Sequence, residues 1–240
     1  MTQPGCPTAF EALVDDYDAA RPSYPQALYD ALPLTGAAVL ELGAGTGIAS
    51  AELAARAGRL VVTDLGPRML ARGLAKHQAP GAVCRAEALP FQEAAFDLVC
   101  GAQMWHWTTP SAAAEAHRVL TAGGRLALWW NEGRGGSWWW DAEQTRIEQG
   151  NPRYRRGYRQ VDWAERLTRW FTAAEPLEIA WERRLSVELY ERWLRSKSYV
   201  QELPDVDGFV AACRADLLQA FPDGTVVEPF VTRLWLLEKR

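Results

Sequence analysis

The stretch VLELGAGTGIAS, residues 39–50, decides how this chain is read. A short apolar run carrying one acid, Glu41, leads into Gly43, Gly45 and Gly47, and helix-forming residues follow directly. Strand, glycine turn and helix in that order make the first half of a βαβ unit. Glycines suit the turn because its backbone must enter positive φ and because a side chain would hold a ligand off the main chain. A helix starting there also offers free N–H groups to an anion such as a carboxylate. The same glycines would equally serve a tight turn that only lets strand and helix approach. Asp64 adds a second feature, since it closes the next apolar run 17 residues after Gly47, where an acid can accept hydrogen bonds from both hydroxyls of a ribose. The two together predict a nucleoside site. A dinucleotide fingerprint would place glycine or alanine at position 48, where the chain has Ile48, and Glu41 would repel a pyrophosphate. Those residues argue against a nicotinamide oxidoreductase.

Outward from this unit, short Val- and Leu-rich runs alternate with longer amphipathic stretches, the pattern of a parallel sheet. Strands are expected at 39–43, 60–64, 82–87, 96–103 and 124–131, with helices at 46–57, 67–77 and 110–120. The last helix opens after Pro110 and is expected to end on Thr121-Ala122-Gly123-Gly124, whose glycines can take a left-handed cap. After Asn131 the alternation breaks into an aromatic, arginine-rich stretch that runs to about Phe171. A strand is expected at 176–186, helical material from Val187 to about Phe221 with a break near Leu203-Pro204, and a closing strand at 225–239. Residues 8–34 hold two short helical stretches on either side of Arg21-Pro22-Ser23-Tyr24-Pro25.

The 240 residues suffice for one α/β domain with a cap, and 48% hydrophobic with 23% charged residues is a globular balance. No apolar run reaches the length of a membrane span, and no basic segment followed by an apolar one opens the chain, so a cytoplasmic protein is expected. Four cysteines without CxxC spacing and three scattered histidines predict neither a disulfide framework nor a metal site. A net charge of −4 provides no global attraction for nucleic acid or anionic lipid. Arg153, Arg155, Arg156 and Arg159, interleaved with Tyr154 and Tyr158, form the only basic run, either a solvated face or a patch for a carboxylate or phosphate.

With these motifs in view, the sequence resembles the class I S-adenosylmethionine-dependent methyltransferases, and among them the type 11 small-molecule group related to the trans-aconitate and ubiquinone-pathway enzymes. VLELGAGTG resembles the first cofactor motif and VVTDLGPRML the second, while AEALPFQEAAFDLVCGAQMWHW resembles the third strand end and fourth strand. EAHRVLTAGGRLALWWNE is similar to the fifth-strand region, and ARPSYP, NPRYRRG and LRSKSYV to further elements of the group. The resemblance implies a Rossmann-like, seven-stranded, mostly parallel sheet with an antiparallel last strand. It implies one methyltransferase domain over 1–240 with helical cap segments at 1–35, 132–172 and 187–222. S-adenosyl-L-methionine is the implied cofactor, with Gly43, Gly45 and Gly47 facing its methionine part beside Glu41, and Asp64 binding the ribose. Leu65 and Met69 would flank the adenine, with Ala86, Glu87, Ala88 and Leu89 on its other side. Gln103 would lie beside the methionine carbons, and Tyr17 or Arg21 would close over the cofactor. Arg85 departs from the pattern, because many relatives outside the group have there an acid that holds the adenine amino group.

The implied reaction is in-line displacement at a sulfonium, which asks mainly for alignment of a small-molecule acceptor. A base is needed only where the acceptor keeps its proton near neutral pH. His106, just past the fourth strand, is the candidate catalytic residue, as a base or as an orienting group between Trp105 and Trp107. Trp105, Trp107 and Trp130 are candidate substrate contacts, and the tryptophans at 129 and 138–140 are expected to be packing residues. An RNA or protein methyltransferase, or a scaffold that binds S-adenosylmethionine without catalysis, are the alternatives, because fold does not fix function.

Overall fold

A computed structural model describes Asp18 and residues 20–156, 161–172 and 174–240. Its seven strands form one sheet in the order β3-β2-β1-β4-β5-β7-β6. Four of the pairings, β1 with β2, β1 with β4, β2 with β3 and β4 with β5, are parallel. The strands are β1 (Ala38–Leu42), β2 (Arg59–Asp64), β3 (Gly81–Val83), β4 (Phe96–Ala102), β5 (Leu120–Gly133), β6 (Leu177–Ser186) and β7 (Thr225–Glu238). Central β1 is almost wholly buried, as a parallel strand covered on both faces must be, and that is why it reads as an apolar run. The last strand lies antiparallel: Lys239 N–H meets the Gly124 carbonyl at one end, and Arg134 N–H meets the Pro229 carbonyl at the other. Opposite directions of numbering also link β7 to β6, where Arg233 pairs with Glu178 and Arg183 with Glu228.

The helices between the early strands are α1 (Gln26–Asp30), α2 (Ser50–Arg56), α3 (Pro67–Leu74) and α4 (Ser111–Val119). Pro67 opens α3 at a position whose N–H has no partner within the helix. Later come α5 (Trp138–Gly150), α6 (Trp163–Leu167), α7 (Val187–Arg195), α8 (Ser198–Gln201) and α9 (Val206–Ala220). Asp162, Ser186 and Asp205 cap α6, α7 and α9 by accepting a backbone N–H three residues on.

Three expectations need correction. The helix after the glycine loop begins at Ser50 and not at residue 46, because Gly47 sits at φ +77° and the residues before Ser50 form a turn. The third strand stops at Val83, since Arg85 to Ala88 close into a turn through Ala88 N–H and the Arg85 carbonyl. The glycines at 123 and 124 do not cap α4, which ends at Val119 and passes straight into β5; Gly123, at φ +73°, turns a bulge inside that strand.

The chain divides into two compact units. One comprises Ser23–Glu132, Asp162–Ile179 and Val231–Arg240, and its core joins Leu28, Leu32 and Leu34 to Val39, Leu53, Val62, Leu98 and Trp129. The other comprises the described residues of Met1–Pro22 with Gly133–Val161 and Ala180–Phe230, around Trp139, Ile147, Tyr190, Leu194, Val210 and Leu217.

Candidate functional site

The glycine loop leaves β1 with Gly43, Gly45 and Gly47 at φ +62°, +57° and +77°, a region that other residues enter only at a cost. Space adds its own demand at two of them. A Cβ on Gly43 would stand 2.8 Å from the Met104 Cβ, and one on Gly47 3.0 Å from the Gly73 Cα. At Gly45 it would meet only the Met69 Cε, at 3.6 Å, which is ordinary contact. Gly73, on α3, is the reciprocal partner, since a Cβ there would come within 2.9 Å of the Gly45 carbonyl oxygen. The close fit of strand, loop and helix is therefore one function of these glycines. The sequence signal for Gly73 was a glycine inside an amphipathic helix.

Asp64 ends β2 and fastens two loops. Its Oδ2 accepts from Gly45 N–H and its Oδ1 from Gly66 N–H, both at 2.7 Å, the short range of charge-assisted bonds. Two carboxylate oxygens have about four acceptor positions, so the same group can take further donors. Glu41 lies one strand away, buried, accepting from the Ser50 hydroxyl at 2.6 Å. Loss of water raises its carboxyl to about 7, the Asp64 charge adds to the rise, and the Ser50 bond opposes it. Between them in the loop is Thr46, whose Oγ1 is buried with no partner among the described residues.

On the far side of β2, Met69 is buried while Leu65 is exposed. Ala86 and Ala88 belong to the turn after β3, and Glu87 points its Oε1 at the backbone N–H (2.8 Å) and hydroxyl (3.2 Å) of Thr109. Arg85 pairs with Glu87 at 3.5 Å. Leu89 N–H donates to Glu115 at 2.9 Å, and Arg118 donates to the carbonyls of Leu89 and Phe91. Helix α4 thus braces the turn through Glu115 and Arg118, a role their sequence spacing did not reveal because the partners lie in another segment.

At the end of β4, Gln103 takes φ +53°, unusual for a residue with a side chain and worth about 1 to 3 kcal/mol of local strain. Its N–H donates to the Trp129 carbonyl at 2.9 Å, and its amide reaches the Tyr24 hydroxyl at 3.5 Å. Tyr24 in turn packs edge-on against Trp129. The segment before it is anchored by Asn131, which donates to the Ser23 carbonyl at 3.0 Å and accepts from the Thr232 hydroxyl at 2.6 Å. Tyr24 and Asn131 were missed as members of this cluster, although RPSYP and WWN had marked their segments. Arg21 donates to the Ser196 carbonyl at 2.9 Å and lies over the Trp193 ring. Tyr17 lies outside the described residues.

Trp105 to Trp107 form a single 3-10 turn after β4. His106 and Trp107 keep accessible surface, whereas Trp105 is 4% and Trp130 1% exposed, which leaves those two rings little area to offer an acceptor. The His106 Nδ1 accepts from the Trp130 indole N–H at 3.3 Å. In the basic run, Arg153 pairs with Glu202 and Arg156 with Asp141 and Glu148, while Arg155 donates to backbone carbonyls. Arg159 and Tyr158 lie outside the described residues. Among the described residues no group of three or more His, Cys, Asp and Glu could hold a metal.

Comparison with known proteins bears on the family and the fold. Residues 40–128 match the family described as a methyltransferase domain. An uncharacterised methyltransferase-like protein of Schizosaccharomyces pombe is 31% identical over 210 residues, 82% of this chain and 80% of the relative. An uncharacterised methyltransferase of Mycobacterium tuberculosis is 40% identical over 126 residues, 51% of this chain and 52% of the relative, so the matched part spans about half of that protein's length. Among solved structures, one described as a proposed Type II methyltransferase from Anaeromyxobacter dehalogenans superimposes with a TM-score of 0.69 at 25% identity, covering 92% of this chain and 97% of that one.

Proposed function

The chain belongs to the class I S-adenosylmethionine-dependent methyltransferases, and from that premise we propose that it methylates a small-molecule acceptor at the carboxyl ends of β1, β2 and β4. The observation that carries the assignment is the Asp64 carboxylate, held by the Gly45 and Gly66 N–H groups beside the glycine loop. These residues fit S-adenosylmethionine: Asp64 has acceptor capacity for ribose hydroxyls, and the unpartnered Thr46 hydroxyl is a polar group still to be satisfied in the same loop. Gly43, Gly45 and Gly47 would admit the methionine part beside Glu41. Leu65 and Met69 would cover one adenine face, with Ala86, Glu87, Ala88 and Leu89 at the other. Gln103 would stand by the methionine carbons. When bound, the cofactor supplies a methyl group already activated by a sulfonium.

The protein's share of the chemistry is then alignment and exclusion of water, worth on the order of 7 to 11 kcal/mol in well-oriented reactions. His106 and Trp107 would meet the acceptor, His106 as an orienting donor and not as a base. The small-molecule reading is supported by the pairing of Arg153 and Arg156 with carboxylates, which lowers the positive charge these two residues would offer a phosphate backbone. Incubation with a bacterial extract and S-adenosylmethionine labelled in the methyl group tests the acceptor class. Label should collect in the low-mass fraction; label confined to RNA or protein would overturn the small-molecule assignment.

A further inference from the structure

Trp130 is fixed from two directions. Trp163 stacks on its face, with centroids 5.1 Å apart and an interplanar angle of 9°, and Trp235 meets it edge-on at 5.7 Å. Trp163 owes its position to the DWAE sequence, in which Asp162 caps α6 by accepting from Glu165 N–H at 3.2 Å. Arg166 lies over the outer part of the same ring system, 5.6 Å from the Trp163 centroid. With one face stacked and a second ring set against it in a T-shaped contact, the Trp130 indole directs its one polar atom toward His106. An indole nitrogen can only donate, so the atom it reaches must carry a lone pair. Nδ1 of His106 is therefore the unprotonated nitrogen, and the proton of the neutral ring sits on Nε2.

We propose that Trp130 is a positioning residue which, held by Trp163 and Trp235, locks His106 as the neutral Nε2–H tautomer and so makes it a hydrogen-bond donor to the acceptor. A ring in that state cannot take a proton at Nε2, and taking one at Nδ1 would break the Trp130 bond. The assignment of His106 to the acceptor side rests on the function proposed above, whereas the tautomer lock concerns the free protein alone.

Nitrogen-resolved NMR of the imidazoles in the cofactor-free protein tests it, with the His106 signals identified by their loss in His106→Gln. The wild type is expected to show Nδ1 unprotonated and Nε2 protonated at pH 8. In Trp130→Phe the ratio of Nε2–H to Nδ1–H tautomers should fall about threefold to tenfold, the effect of losing one hydrogen bond. Trp163→Leu, which keeps the donor but removes its stacking partner, should produce a smaller fall in the same direction. A proton on Nδ1 in the wild type overturns the proposal without recourse to any variant. A ratio unchanged in a folded Trp130→Phe protein overturns it as well. Neither result bears on cofactor binding, so failure here is separable from failure of the methyltransferase reading.

Discussion

At Asp64 two N–H groups from different loops fall on opposite oxygens of one carboxylate, so a single side chain sets the distance between the glycine loop and the start of α3. Its neighbour Glu41 has the contrary environment, being buried with one hydroxyl donor, and its carboxyl stands at about 7 instead of the usual 4.5. A carboxyl whose folded-state value is raised favours the fold while protonated. Its contribution is complete below pH 4.5 and is lost as pH rises to about 7. Glu41→Gln, which imitates the protonated form, should therefore gain on the wild type as pH increases, by up to about 3 kcal/mol above pH 7. Urea unfolding of both proteins between pH 5 and 8 measures this. A difference that stays constant over the range would show that Glu41 is ionised throughout.

Among the elements, the loop between β1 and α2 is the place where backbone and packing make the same demand. Gly47→Ala meets positive φ together with a Cβ 3.0 Å from the Gly73 backbone, while Gly123→Ala, at φ +73°, finds nothing within 4 Å. The second change should cost about 1 to 2 kcal/mol, the penalty of the left-handed backbone alone, and the first should exceed it by a further 1 to 3 kcal/mol of overpacking. Thermal melts of the two variants decide the point, and equal losses would mean that α3 yields to the loop without strain. The strands around this loop were legible because buried parallel strands must be apolar along their whole length, as β1 is. The start of α2 was not, because no residue between the last glycine and Ser50 marks a helix start, and Gly47's positive φ keeps residues 46–49 in a turn. The end of β3 was hidden too, since the apolar start of the expected strand at 82–87 continues without a glycine or proline into Arg85 to Ala88, which form a turn braced by Glu115 and Arg118 from a distant helix. Asp64 could be found from its spacing. Tyr24, Asn131 and Gly73 depend on partners distant in the chain, which no local pattern encodes.

At the scale of the whole molecule, the second unit has an ionic core of its own. Lys197 and Glu143, 7% and 2% exposed, pair at 2.9 Å, and Tyr190 donates to the other Glu143 oxygen at 2.7 Å. Arg183 meets Glu228 beside them, and both Lys197 and Arg183 lie over the Trp193 ring. Burial of charge is tolerable only in pairs, so Lys197→Met should cost about 3 to 5 kcal/mol by leaving Glu143 uncompensated. Adding Glu143→Leu should restore most of that loss. Denaturant unfolding of the single and double variants tests the coupling, and strictly additive losses would mean that the pair is not the unit.

The central claim is that the β1 and β2 loops form a nucleoside site for the methyl donor, and isothermal titration calorimetry with S-adenosylhomocysteine tests it most directly. The wild type should bind, and Asp64→Ala should bind more weakly by roughly 1.5 to 3 kcal/mol, the worth of hydrogen bonds to a charged group. Equal affinity in the two proteins, with Asp64→Ala still folded, or no binding by the wild type at all, would contradict the account.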